Sequence, residues 1–183
     1  MRLFRITRQT DRAAAFDGVS ASLYPGRWNE RTRRVVYVAS RIPLGILEIL
    51  VQSSGAPLVG YFAYPLDVPD ELLETFNRYA LSATWRTADR GRFECRGYGE
   101  GWRARGTSAG LIVPSAVLPE AYDFGDVNVV LNPLHPDFAR VRIAEPVPLD
   151  VDSRLQVLVS ALPSTTVQRR SRRKAAGSRR PVR

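Results

Sequence analysis

The stretch RVVYVASRIPLGILEILVQ, residues 34–52, decides the fold class of this chain. Its first part, residues 34–39, is rich in β-branched and aromatic residues and predicts a strand. Ser40 can cap a following helix, and Pro43 lies in the first turn of that helix, where its missing N–H costs little. A strand followed at once by a helix that runs to Gln52 is therefore predicted.

The predicted helix carries a carboxylate in an unusual place. Leu44, Leu47 and Val51 recur at helical spacing and predict one apolar face, and Glu48 lies on that face between Leu47 and Val51. Burial of an unpaired carboxylate costs several kcal/mol, so Glu48 belongs either to a structural ion pair or to a functional site. The sequence alone leaves both interpretations open.

Outward from this stretch, the rest of the chain mixes strands and helices. Apolar and β-branched runs predict further strands at residues 3–6, 57–66, 109–113, 127–131 and 138–147, and a short helix opens at Pro69. Strands outnumber helices, and no strand–helix alternation repeats. The pattern predicts an α+β fold in a single domain.

Residues 80–106 show little periodicity and predict loops around a cleft or a lid. Within them, the glycines of residues 97–101 lack the spacing of a dinucleotide-binding loop and include Glu100, which would repel a phosphate. A flexible loop is the better interpretation. Lys174 is the only lysine, so a phosphate-binding loop of the P-loop class is excluded as well.

Composition agrees with one folded domain and an added tail. The chain has 183 residues, of which 44% are hydrophobic and 25% charged, which is typical of a globular protein. Its net charge is +9, yet eight of its 27 basic residues lie between Arg169 and Arg183. Without these eight residues, the basic and acidic residues of the rest of the chain nearly balance. We therefore expect a folded domain at residues 1–164 and a disordered basic tail at 165–183, either a solvated extension or a contact for nucleic acid or an acidic partner surface.

Several classes of protein are excluded by simple counts. No apolar run is long enough to cross a membrane, and residues 1–5 do not resemble the start of a signal peptide, so we expect a cytoplasmic protein. Cys95 is the only cysteine and His135 the only histidine. A disulfide within the chain is thereby excluded, and a zinc site or a serine-protease triad is improbable; no metal is expected.

Three more residues invite a chemical explanation. Arg5, on the apolar first strand, is either an ion-pair partner or an anion ligand. Arg27, in the turn Gly26-Arg27-Trp28-Asn29, could bind a phosphate, although a surface cation–π pair is the commoner meaning of such a turn. Ser115, which follows a predicted strand, presents a hydroxyl at a turn, where a plain turn serine is the simpler interpretation.

Taken in order, these motifs resemble the RES-domain family, the toxins of bacterial RES/Xre toxin–antitoxin pairs. The resemblance covers roughly residues 3–155, and the turn followed by the strand and helix is its most specific part. The residues that carry it are Phe4-Arg5, Asp17-Gly18, Gly26-Arg27-Trp28-Asn29, Val36-Tyr37-Val38-Ala39-Ser40, Leu47-Glu48-Ile49-Leu50-Val51, Val113-Pro114-Ser115-Ala116 and residues 128–135 (NVVLNPLH).

The resemblance implies an ADP-ribosyltransferase-like fold with two packed, mostly antiparallel sheets and flanking helices. It also implies an enzyme that consumes NAD⁺ at the nicotinamide–ribose bond by hydrolysis or phosphorolysis, without a metal. Glu48, Arg5 and Ser115 would then be catalytic. The residues implied to bind NAD⁺ are Arg5, Arg27, Tyr37, Trp28 and Asn29.

Two alternatives stay open at this point. The same fold could transfer ADP-ribose to a specific host protein, which the sequence does not separate from free NAD⁺ breakdown. A basic module that binds nucleic acid through the tail would explain the charge but not Glu48. The resemblance further implies an Xre-type antitoxin as partner.

Overall fold

A computed structural model describes residues 1–52, 58–87, 89–118, 125–152 and 154–155. The tail at 165–183 and the predicted domain end at 164 lie outside these residues. The helices are α1 (Arg12–Phe16), α2 (Val19–Leu23), α3 (Ile42–Gln52) and α4 (Arg90–Arg105), with short 3₁₀ turns at Asp70–Leu72, Arg78–Ala80 and Pro136–Arg140. The strands are β1 (Arg2–Thr7), β2 (Val36–Ala39), β3 (Tyr61–Asp67), β4 (Leu73–Thr75), β5 (Gly110–Val113), β6 (Asn128–Leu131), β7 (Arg142–Ile143) and β8 (Val147–Leu149).

The eight described strands belong to one sheet. Its order is β4-β5-β6-β2-β1-β3-β7, and β8 also pairs with β3. Every pairing is antiparallel except that of β4 with β5. The predicted α+β class and the mostly antiparallel pairing are thus confirmed, whereas the implied division into two packed sheets is not seen among the described residues.

Two hydrophobic cores lie on opposite faces of the sheet. Alternation of side chains along a strand decides which core a residue joins. On β6, Val129 and Leu131 pack into a core with Phe16 of α1, whereas Val130 packs into a second core with Trp102 of α4. The sheet is therefore covered on both sides, and its central strands are buried on both faces.

The prediction of loops at 80–106 is wrong for most of that segment, because α4 occupies Arg90–Arg105. Strands β4 and β5 are parallel, so the chain needs a crossover connection between them, and α4 lies in it. Gly99, assigned above to a flexible loop, is buried in this helix. A Cβ there would lie 1.9 Å from the Trp28 carbonyl oxygen, so the glycine allows α4 to approach the turn that contains Trp28.

Two other expectations need correction. A strand at 138–147 is replaced by the 3₁₀ turn at Pro136–Arg140 and the short strands β7 and β8, since Pro136 starts the turn. Two of the three residues of the apolar face expected on α3 are exposed. Leu44 is 2% exposed, but Leu47 is 40% and Val51 64% exposed, because α3 packs on the sheet through Leu44 and Gly45.

Candidate active site

Three elements meet at the carboxylate of Glu48. Glu48 lies on α3, Ser115 follows β5, and Asn128 is the first residue of β6. Because Val113 of β5 pairs with Asn128, the end of β5 lies beside the start of β6. The Ser115 hydroxyl donates to Glu48 Oε1 at 2.8 Å, and the Asn128 side-chain amide donates to the same oxygen at 2.5 Å.

The Ser115 hydroxyl is oriented by its own turn. Its oxygen accepts the backbone N–H of Val117 at 3.1 Å and that of Leu118 at 3.4 Å, and the side chain is buried. Since the hydroxyl oxygen already accepts from this turn, its single proton is directed to Glu48. Ser115 is thus both a turn serine, as the simpler interpretation held, and a partner of the carboxylate.

Glu48 lines a cavity of about 440 Å³. Neither described hydrogen bond of this carboxylate involves Oε2, so that oxygen is free of hydrogen bonds to other described residues. Of the residues considered from the sequence, Arg5, Arg27, Trp28 and Tyr37 line the same cavity. The cavity therefore combines a fixed carboxylate with guanidinium groups and aromatic rings.

Arg5 reaches the cavity from β1. Its Nε donates to the Ala15 carbonyl at 3.3 Å, and its Nη1 donates to the Tyr37 carbonyl at 2.9 Å. Burial lowers the pKa of Arg5 to about 10, against the opposing effect of the Asp17 charge. The guanidinium thus keeps its positive charge at neutral pH and is fixed in place by backbone carbonyls.

Tyr37 joins the central strand β2 to the turn at residues 26–29. Its hydroxyl accepts the Trp28 backbone N–H at 2.9 Å and donates to Asn29 Oδ1 at 2.9 Å. Burial raises the pKa of Tyr37 well above its ordinary value, chiefly by desolvation of the phenolate, against the lowering effect of the Trp28 N–H. A Cβ at Gly26 would lie 2.6 Å from the Tyr37 hydroxyl oxygen, so only glycine allows this approach.

Asn29 is buried and does not line the cavity. Its Oδ1 also accepts the Gly26 N–H at 2.9 Å, and its Nδ2 contacts three backbone carbonyls, those of Ala21, Glu30 and Arg33, at 2.9 to 3.2 Å. Trp28 is 3% exposed and packs edge-to-face against Phe76. The structure therefore gives Asn29 a place in the frame of the turn, whereas Trp28 both packs in the core and lines the cavity.

Arg27 is held by the segment that precedes α4. Its Nη1 donates to the Trp85 carbonyl at 2.6 Å and to the Thr87 carbonyl at 3.2 Å, and its Nη2 donates to the Arg86 carbonyl at 3.1 Å. The guanidinium also lies 5.8 Å from the centre of the Trp85 ring. The cation–π pair considered from the sequence thus involves Trp85 and not the adjacent Trp28.

Asn128 is the site residue that the sequence did not single out. It lies within the run NVVLNPLH, where an asparagine before three apolar residues is typical of a strand start. Its role depends on the pairing of β6 with β5. Asn128 pairs with Val113, and Ser115 follows Val113 by two residues. No local pattern contains that information.

The described residues hold no group of three or more His, Cys, Asp or Glu side chains that could bind a metal ion. Among the same residues, no helix has both the length and the apolar character that a membrane crossing requires.

Comparison with known proteins identifies the family of the chain. The RES domain family model matches residues 2–152. The chain is 32% identical to a protein named Toxin Res from Photorhabdus laumondii, over 85% of this chain and 97% of the relative. It is 35% identical to the Prs ADP-ribosylating toxin of a Sphingobium species, over 70% of this chain and 79% of the relative. A second Toxin Res, from Yersinia enterocolitica, is 28% identical over 85% of this chain and all of the relative.

Proposed function

This chain belongs to the RES domain family, and we propose that it is a toxin that cleaves the nicotinamide–ribose bond of NAD⁺ and depletes the cellular pool. Its substrate would occupy the 440 Å³ cavity. The ADP-ribosyl acceptor would be water or phosphate.

The observation that carries this proposal is the Glu48 carboxylate, which two side chains hold by one oxygen at the edge of the cavity. Loss of neutral nicotinamide leaves a positively charged, oxocarbenium-like ribose. A carboxylate that is already oriented stabilises this charge without reorganisation, and it can also accept a hydrogen bond from a ribose hydroxyl. Ser115 and Asn128 would act by keeping Glu48 in that orientation.

The arginines suit the pyrophosphate of the dinucleotide. Arg5 stays charged, although it is buried, and Arg27 offers a planar fork of donors. Arg27 would exchange its bonds to the carbonyls of residues 85–87 for bonds to phosphate oxygens. In this proposal Arg5 contributes both to binding and to charge stabilisation during the reaction.

Tyr37 and Trp28 would contact the dinucleotide through their rings and would not transfer protons. The Tyr37 hydroxyl is engaged in two hydrogen bonds, and its raised pKa keeps it neutral. Its ring can stack on the nicotinamide, and Trp28 and Asn29 would shape the turn against which the dinucleotide lies.

As a toxin of this family, the chain would act in the bacterial cytoplasm and be neutralised by an Xre-type antitoxin that covers the cavity. Expression without the antitoxin should then arrest growth and lower the NAD⁺ pool. Co-expression of the antitoxin should restore both. Growth arrest with an unchanged NAD⁺ pool would contradict depletion as the cause.

A second candidate is mono-ADP-ribosylation of a specific host protein. It is supported by the relative that is named a Prs ADP-ribosylating toxin and is 35% identical to this chain. Both activities begin with loss of nicotinamide, so they use the same carboxylate and differ in what attacks the ribose.

Incubation of the purified protein with NAD⁺, with and without phosphate and cell extract, separates these activities. Release of free ADP-ribose or its 1-phosphate in buffer supports the first proposal. ADP-ribose found only on a protein from the extract supports the second candidate. Intact NAD⁺ under all conditions would contradict both.

A further inference from the structure

A second cavity, of about 240 Å³, lies on the other side of the Ser115 turn. Pro114 lines both cavities, and Ser115 and Val127, the neighbours in sequence of Pro114 and Asn128, line the second one. The pair formed by Glu48 and Ser115 therefore lies between the two cavities. The function proposed above uses only the first.

The second cavity contains a guanidinium with few partners. Among the described residues, Arg86 has one hydrogen-bond acceptor, the Ser115 carbonyl, at 3.4 Å from Nη2. Its Nε is buried and has no acceptor there. An arginine offers five N–H donors, and buried donors without an acceptor are rare because they cost free energy.

The position of Arg86 is nevertheless well defined. Its guanidinium lies 5.4 Å from the centre of the Trp85 ring, and its backbone carbonyl accepts from Arg27. Trp85 itself is 6% exposed. Arg86 thus makes a cation–π contact with a buried ring, which helps to hold the guanidinium while its N–H groups can still bind an anion.

The described residues that line this cavity carry more positive than negative charge. Arg78 lines it together with Arg86. Asp126 also lines it, and its Oδ1 lies 2.9 Å from Arg41 Nε in an ion pair that does not have hydrogen-bond geometry. Among the described residues that line the cavity, two guanidinium groups and one carboxylate therefore leave a net positive charge.

We propose that this second cavity is an oxyanion site, in which Arg86 binds inorganic phosphate or the phosphoryl group of a larger molecule. The anion would supply acceptors that the Arg86 guanidinium does not find among the described residues, through the paired donors that match two phosphate oxygens. The position of the site beside Glu48 rests on the proposed function, whereas anion binding can be measured without any NAD⁺ turnover.

The test is a calorimetric titration of inorganic phosphate into the full chain, saturated with ADP-ribose so that the first cavity is filled. Arg86→Gln should weaken phosphate binding at least tenfold. Arg92→Gln removes the same charge from an exposed position on α4 outside the cavity, and it should bind as the wild type does. Equal binding by wild type and Arg86→Gln, or equal losses in both variants, would overturn the proposal.

A second measurement follows phosphate binding on the wild type itself and needs a variant only to assign one resonance. The Nε–H resonance of Arg86, identified by its loss in Arg86→Lys, should shift saturably as phosphate is added to the wild type. An unchanged resonance would overturn the proposal. Titration with O-phosphoserine distinguishes the sources: a shift with both compounds indicates a site for phosphoryl groups, and a shift with phosphate alone indicates a site for the free ion.

If ADP-ribose fails to bind, the function proposed for the first cavity is contradicted. The comparison of Arg86→Gln with Arg92→Gln on the free protein then still tests the second site.

Discussion

The carboxylate of Glu48 and the turn at residues 26–29 are both made of residues that the sequence marks as functional, but they use their hydrogen bonds differently. Glu48 accepts from Ser115 and Asn128 through one oxygen and lines the large cavity. In the turn, Asn29 makes five contacts at hydrogen-bond distance, and every one is to the turn, to Tyr37 or to nearby backbone.

This difference separates two roles within one set of motif residues. A group whose polar atoms are all engaged within the protein stabilises the frame, and a group with a polar atom left at a cavity can act on a ligand. Substitutions at the carboxylate should therefore change turnover at constant stability. Substitutions in the turn should change stability first.

The largest effect is expected at the carboxylate. Glu48→Gln keeps an oxygen for Ser115 and Asn128 but loses the negative charge, so NAD⁺ turnover should fall by about 100-fold or more. Expression of this variant should no longer arrest a bacterial host. Glu145→Gln, at a side chain that is 90% exposed, is the matched control and should remain toxic. A variant that melts at a lower temperature yet turns over NAD⁺ normally would show that Glu48 has a structural role only.

Asn29→Ala should affect the frame most. Loss of the buried amide leaves the Gly26 N–H, the Tyr37 hydroxyl and several carbonyls without their partner, and unfolding free energy should fall by roughly 3 kcal/mol in a denaturant titration. Asn77→Ala removes an exposed side chain that caps one 3₁₀ turn and should cost less than about 1 kcal/mol. Unchanged stability together with lost NAD⁺ binding would make Asn29 a ligand contact and contradict its structural role.

Tyr37→Phe tests the same frame through a single hydroxyl. Removal of its two hydrogen bonds should lower unfolding free energy by about 1–2 kcal/mol. Because burial raises the pKa of Tyr37 above that of an unfolded tyrosine, the folded state binds more protons in alkali, and wild-type stability should decline from about pH 10 upward. The variant should lose less stability over that range than Tyr79→Phe, whose ring is 90% exposed. Parallel alkaline declines would count against this account.

Arg27 belongs to both regions, since it lines the cavity and holds residues 85–87. Arg27→Lys keeps the charge but cannot offer a fork to several oxygens, so KM for NAD⁺ should rise by about tenfold with a smaller change in kcat. Arg31→Lys, at an exposed position, should leave both constants unchanged. Wild-type KM in Arg27→Lys would argue against pyrophosphate binding at this residue.

The smallest effect is expected from removal of residues 165–183. The eight basic residues there lie on a segment without apolar periodicity, so melting temperature and NAD⁺ turnover should stay nearly unchanged. Salt-sensitive association with nucleic acid or an acidic partner should weaken, because such charges act through screened electrostatics. Loss of turnover on truncation would contradict the domain end predicted at residue 164.

The strand and helix at residues 34–52 could be predicted because their signals are local. β2 and α3 lie within one or two residues of the predicted bounds, and Glu48 could be singled out as a carboxylate beside apolar residues. The buried apolar face predicted around Glu48 is wrong for Leu47 and Val51, which are exposed. The carboxylate itself has two side-chain partners and lines a cavity.

Helix α4 and Asn128 could not be predicted, because their reasons are distant in sequence. Glycine in α4 lowers helix propensity, yet Gly99 is needed for close packing on the Trp28 carbonyl, some 70 residues earlier. Asn128 reaches Glu48 only through the pairing of β6 with β5. The resemblance to a family supplied the motif residues, but not which of them belong to the frame.

The most direct test of the central claim compares NAD⁺ affinity and nicotinamide release for wild type and Glu48→Gln in the same preparation. We expect wild type to release nicotinamide, and we expect the variant to bind NAD⁺ with a similar Kd while releasing it at least about 100-fold more slowly. Equal rates of release from the two proteins, or no release from the wild type, would contradict the account.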